Sequence, residues 1–89
     1  VCANDEMALG VIDALNEYGI KINEQVKVTG FDNIELAKYY KPSLTTISVD
    51  RYNWGKLVAA QMVKIIKNKN AERHLTIGGE IIVRESANI

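Results

Sequence analysis

Val1-Cys2-Ala3-Asn4-Asp5-Glu6-Met7-Ala8-Leu9-Gly10, followed further on by Val26-Lys27-Val28-Thr29-Gly30-Phe31-Asp32, supplies the main architectural signal. The apolar start gives way at Asn4 to a run with Ala8, Val11, Ile12 and Leu15 on one helical face. Asn4 suits the cap, Asp5 and Glu6 suit the positive end of the helix dipole, and Gly19 suits a left-handed stop. The spacing predicts a helix over 5–18. After turn-like residues 21–25, the β-branched run 26–31 reads as a strand. Strand, helix, strand implies a βαβ unit with a parallel pair and an α/β fold class.

Working outward, Ile34, Leu36, Ala37 and Tyr40 carry weak helical spacing, and Pro42 ends that short helix or turn by forcing Lys41 towards an extended conformation. Residues 44–49 are Thr-rich and β-branched, as a strand requires. Asp50 then caps the strongest helix, which runs to Lys67, with Trp54, Leu57, Val58, Met62, Ile65 and Ile66 as its expected buried stripe. Polar residues 68–73 end it. Two short strands, 75–77 and 81–83, flank Gly78-Gly79, which permit a bend. The sequence contains no internal repeat and no low-complexity tract.

The 89 residues, 47% apolar and 25% charged, bound the chain to one small globular domain with a thin core. Eleven basic residues balance eleven acidic ones, so no net field draws nucleic acid or anionic lipid. A single cysteine, Cys2, closes no internal disulfide and fits a reduced cytoplasm; with His74 as the one histidine, no metal cluster and no cofactor is expected. No apolar run reaches the length of a membrane span, and no secretion signal is recognisable. The opening without Met reads as a strand already under way, so the chain is expected to be the C-terminal piece of something longer.

Catalysis has little to draw on. Ser43, Ser48 and Ser86 lack a nucleophile-elbow context, His74 lies in a polar connection, and Lys64, Lys67 and Lys69 suit a solvated helix C-terminus. Asn4 and Asp32 are more informative because each follows directly on a predicted strand. In parallel α/β sheets the carboxyl ends of strands border the ligand crevice. An amide that donates and accepts, beside a carboxylate that accepts from two hydroxyls, suits a neutral polyhydroxylated ligand such as a sugar or nucleoside. The competing reading is that Asn4 caps its helix and Asp32 caps the next turn.

The blocks Val1 to Gly10, Val28-Thr29-Gly30-Phe31-Asp32-Asn33, Pro42-Ser43-Leu44-Thr45-Thr46-Ile47 and Val83-Arg84-Glu85-Ser86, in that order, resemble the C-terminal part of a LacI-family bacterial transcriptional regulator over essentially the whole chain. Asn23, Ser43 and Gly78 stand where the family often has proline. The resemblance implies a three-layer, parallel-sheet, periplasmic-binding-protein-like effector domain with two lobes joined by crossing strands. Residues 1–48 and 81–89 would belong to the C-terminal lobe and 50–73 to the N-terminal lobe. Asn4 and Asp32 match effector-binding positions, while Leu9, Leu36, Tyr39 and Tyr40 resemble dimer contacts, although helical stripes also bury inside a lobe. The implied partners are a small-molecule effector, most simply a sugar, a second copy of the chain, and operator DNA through an upstream helix-turn-helix. A transport-system sugar-binding protein of the same fold, or an interaction fragment without a ligand, are the alternatives.

Overall fold

Helix α1 (Asp5–Glu17) starts at the expected cap in the computed structural model, which describes residues 1–88. Asn4 is extended, and its Oδ1 accepts the Met7 N–H at 2.9 Å. The helix stops one residue earlier than the sequence suggested. Gly19 takes φ 72, and the N–H groups of Gly19 and Ile20 return to the carbonyls of Asn16 and Leu15. Left-handed glycine thus satisfies the last free carbonyls.

The chain divides into two units, residues 1–48 with the stretch from 80 onward, and residues 49–79. In the first unit, Ala8, Leu9 and Ile12 of α1 pack on Val28, Ala37 and Leu44. Cys2, Leu15, Ile22, Ile34 and Tyr40 close the edges of this cluster. Each large side chain buried there contributes about 1.5–3 kcal/mol, so the core is thin, as a short chain dictates. A short 3₁₀ helix (Glu35–Lys38) fills the position of the expected helix or turn and contributes Ala37. Strand β1 (Thr46–Ser48) pairs antiparallel with β2 (Glu80–Ile82), Ile47 opposite Ile81. The final residue of the expected segment 81–89, Ile89, lies outside the described residues.

The expected neighbour relation of residues 1–3 and 26–31 is present as backbone bonds alone, and the parallel bridges join residues 29–32 to 45–48, in neither case as a regular ladder. Cys2 N–H donates to the Thr29 carbonyl at 2.9 Å, and Gly30 and Asp32 donate to Thr45 and Ile47, both at 3.0 Å. Parallel bridges join Thr29 to Thr45 and Asp32 to Ser48. The extended run begins later than residue 26. Val26 is drawn instead into a tight turn with Ile22, in which Asn23 has φ 75 and donates to the Val26 carbonyl. Residues 75–77 form no strand.

In the second unit, helix α2 (Arg51–Lys67) is capped by Asp50, whose Oδ1 accepts the Asn53 N–H at 3.1 Å. Its expected buried stripe is not buried. Leu57, Val58 and Met62 are about half exposed and Ile66 is 74% exposed. Within residues 49–79 only the stretch after the helix is left to cover it; Arg73 and Leu75 border a hollow beside Val58, Met62 and Ile65, and Gln61 donates to the Glu72 carbonyl. A single short stretch without regular structure covers too little of a helix to bury an apolar stripe.

Candidate functional site

Asn4 and Asp32 lie at adjacent ends of hydrogen-bonded segments, since the Asp5 N–H donates to the Phe31 carbonyl at 3.0 Å. Both are partly exposed. Asn4 serves as a cap through Oδ1, and that bond leaves its amide nitrogen uncommitted to the cap. Asp32 occupies an unusual backbone conformation, φ 121, followed by Asn33 at φ 57. Two successive non-glycine residues at positive φ cost roughly 1–3 kcal/mol each and persist only where the surroundings hold them.

The holding groups are specific. Asp5, fully buried directly after Asn4, accepts the Thr46 hydroxyl on Oδ1 at 2.6 Å and the Ile34 N–H on Oδ2 at 2.9 Å. It therefore links the start of α1 to β1 and to the far side of the 32–33 bend. Thr46 Oγ1 also accepts the Asn33 N–H at 3.3 Å, and Arg84 Nη2 donates to Asn33 Oδ1 at 2.8 Å. Gly30 makes room for this arrangement. A Cβ there would stand 2.2 Å from Asp5 Oδ1 and 3.1 Å from Leu44 Cδ2. The sequence suggested a dipole role for Asp5 and gave no sign of the roles of Thr46, Asn33 and Arg84; only a partner distant in sequence distinguishes a buried carboxylate from an exposed first-turn one.

Ser86, also fully buried, stitches the other end of the unit. Its hydroxyl donates to the Val28 carbonyl at 2.6 Å and accepts the Thr45 N–H at 2.9 Å. Neighbouring Glu85 accepts both the N–H and the hydroxyl of Ser43, at 3.2 and 3.0 Å. Those two donors, backbone first, with the nearby Lys41 charge, lower the Glu85 pKa below the ordinary 4.5 against a smaller opposing effect of burial.

A hollow of about 440 Å³ opens on the same unit, lined by residues 1–3, 29–31 and 45–47 with Ile81. Neither Asn4 nor Asp32 lines it. Its walls are largely apolar, and the hydroxyls of Thr45 and Thr46 are engaged with Arg84 and Asp5. Its chemistry suits apolar cover better than a hydroxylated ligand.

Of the expected dimer contacts, Leu9 is corrected. It is 5% exposed in the unit's own core and offers no surface to a partner. Tyr40 packs against that core, and its hydroxyl donates to Asp13 Oδ2 at 3.1 Å. That bond, with burial and the Asp13 charge adding to it, raises the phenol pKa. Leu36 and Tyr39 are exposed. His74 is exposed, Cys2 is a half-buried free thiol, and no cluster of metal-ligating side chains occurs among the described residues. No helix among them is long and apolar enough to cross a membrane.

This set of segments, bridged in parallel and joined to the antiparallel β1–β2 pair, agrees with the periplasmic binding protein-like domain, whose family model matches residues 1–87; the chain belongs to that family. Its sequence and structural neighbours are LacI-type regulators. It is 41% identical over 86 residues, 96% of its length, to the HTH-type transcriptional repressor PurR of Vibrio parahaemolyticus. Among solved structures it resembles the lac repressor dimer bound to operator and an anti-inducer, with TM-score 0.80 and 27% identity, covering 96% of this chain and 30% of that one. A LacI-family regulator of Enterococcus faecalis with bound ribose gives 0.72 and 32%, over 94% of this chain and 32% of that one. The chain spans about a quarter of the length of the curated relatives it matches.

Proposed function

We propose that this chain is the effector-sensing and dimer-forming part of a LacI-type transcriptional repressor, with Asn4 and Asp32 as its contacts to the effector. Residues 1–48 and the C-terminal stretch are assigned to the C-terminal lobe, and residues 50–73 to the N-terminal lobe. The observation that carries the reading is the rim where Asn4 and Asp32 emerge from adjacent segment ends, Asp32 on a backbone that its neighbours hold out of the ordinary regions. A strained polar residue at such an edge is better explained by ligand recognition than by capping.

The effector is a neutral polyhydroxylated molecule, a sugar or nucleoside. The chemistry of an amide beside a carboxylate supports this, as do LacI-type neighbours described with lactose and with ribose. Leu36, Tyr39 and the edge of Tyr40 supply the homodimer contact. Operator DNA is bound through a helix-turn-helix outside this chain, which carries no net charge, and the protein works in the cytoplasm. The effector acts by binding one conformation of the regulator more tightly than another. In the native protein, Asp32→Ala is expected to weaken effector-dependent release of operator by about 10- to 100-fold, the range of one hydrogen bond to a charged group, without altering the circular dichroism spectrum. Unchanged release would reject the assignment.

A further inference from the structure

Arg84 reaches the Asp32 bend from the opposite end of the chain. Its guanidinium donates twice, from Nη2 to Asn33 Oδ1 at 2.8 Å and from Nη1 to the Leu44 carbonyl at 2.9 Å. The second bond ties the fork to the core residue Leu44, so the first holds the Asn33 amide against a fixed point. On its other side Asn33 meets β1: its N–H donates to Thr46 Oγ1 at 3.3 Å and its Nδ2 to Ser48 Oγ at 3.5 Å. Asparagine tolerates the left-handed region at φ 57, whereas aspartate at φ 121 depends on what flanks it. Before Asp32 stands Phe31, bonded through its carbonyl to Asp5, and after Asn33 stands Ile34, bonded to the Asp5 carboxylate.

We infer that Arg84 is a positioning residue for Asp32: by clamping Asn33 it presents the Asp32 carboxylate in one orientation. The inference rests on the reading of Asp32 as an effector contact. Arg84 follows β2 by two residues, and Thr46 and Ser48 belong to β1. Asn33 is therefore gripped from β1 on one side and from the residue two beyond the end of β2 on the other. The planar fork is essential to this role, because a lysine ammonium carries the same charge but cannot span two acceptors in fixed geometry.

Residue-resolved amide hydrogen exchange on the native protein tests the clamp without any ligand. In Arg84→Lys, the amides of Asn33 and Ile34 are expected to exchange about 10- to 100-fold faster, the span of a single charge-assisted bond. The amides of Val28 and Gly30, bonded to Ser86 and Thr45, are expected to keep their wild-type rates. Unchanged exchange at Asn33, or an equal rise at all of these amides, overturns the inference. Calorimetric titration with D-ribose and with inosine supplies the functional arm. Arg84→Lys weakens whichever probe binds, but adds no further loss in an Asn33→Gly background, because Arg84 acts through that side chain. An equal loss in both backgrounds counts against the clamp. Should the wild type bind neither probe, the effector reading of Asp32 falls, and the exchange rates alone decide the role of Arg84.

Discussion

Replacing Gly30 with alanine tests whether the buried Asp5 carboxylate organises the rim. The added Cβ would lie 2.2 Å from Asp5 Oδ1, 3.1 Å from Leu44 Cδ2 and 3.3 Å from the Asp5 backbone Cα. The oxygen cannot simply swing aside. Asp5 is fully buried, its Oδ1 holds the Thr46 hydroxyl and its Oδ2 holds the Ile34 N–H. Overpacking of this kind costs about 1–3 kcal/mol, and displacing a carboxylate from its hydroxyl donor adds about 1.5–3 kcal/mol. Against these stands a gain of about 0.4–1 kcal/mol, because alanine restricts the unfolded chain. The net expectation is a loss of about 2–5 kcal/mol, read as a fall in the urea midpoint of the native protein at unchanged slope. The mechanism is sharpened by Asp5→Ala, which removes the oxygen that the new Cβ strikes. In that background Gly30→Ala should cost far less than it does alone, a non-additivity of at least about 1 kcal/mol. A Gly30→Ala midpoint equal to wild type, or strictly additive costs, would refute the argument that glycine is present for space.

Three further outcomes are expected. Asn4→Ala removes the cap and lowers stability by about 1 kcal/mol, whereas Asn4→Asp keeps a capping acceptor and near-wild-type stability yet loses the amide donor; operator release by effector should then weaken in Asn4→Asp, and an unaltered response would leave Asn4 as a cap alone. Leu9→Ala, in the core, should cost about 2–5 kcal/mol in unfolding, while Leu36→Ala with Tyr39→Ala should leave the monomer fold intact and shift sedimentation from dimer to monomer; a persistent dimer would remove those two residues from the interface. Because the Glu85 pKa lies below its unfolded value near 4.5, its bond to Ser43 stabilises the fold above that value and is lost as pH falls through the lower, folded one; Glu85→Gln should therefore flatten the acid limb of unfolding below about pH 4.5, and superimposable limbs would disprove the linkage.

Much of the local structure was legible because it rests on neighbours in sequence. Asn4 and Asp50 cap the helices they precede, Gly19 stops α1, and the parallel relation of residues 1–3 and 28–32 follows from the helix between them. The α2 stripe departs from expectation for a related reason. Periodicity shows which face of a helix is apolar, and burial needs a second surface that residues 49–79 do not provide. Leu9 is expected at a partner contact from its position in the resemblance, with burial in its own lobe as the competing reading of a helical stripe; its packing in the cluster with Ala8 and Ile12 favours the core.

The candidate site divides along the same line. Asn4 and Asp32 could be picked out because each ends an apolar extended run, but what holds Asp32 could not. Asp5 stands in a first turn where acidic residues are ordinary, and its partners Ile34 and Thr46 lie 29 and 41 residues away. Arg84 is 51 residues from Asn33. The positive φ angles at 32 and 33 are consistent with Asp and Asn chemistry but are not demanded by it, since both residue types are commoner in ordinary turns. The proposed effector contacts are therefore residues whose types are visible in sequence, while the backbone that presents them is held by long-range bonds converging on two side chains, Asp5 and Asn33. It follows that the conservative change Arg84→Lys, at a residue that is only partly buried and not at the rim itself, should alter the selectivity of the rim more than it alters the stability of the core, whereas changes at the buried pair Asp5 and Thr46 should lower both.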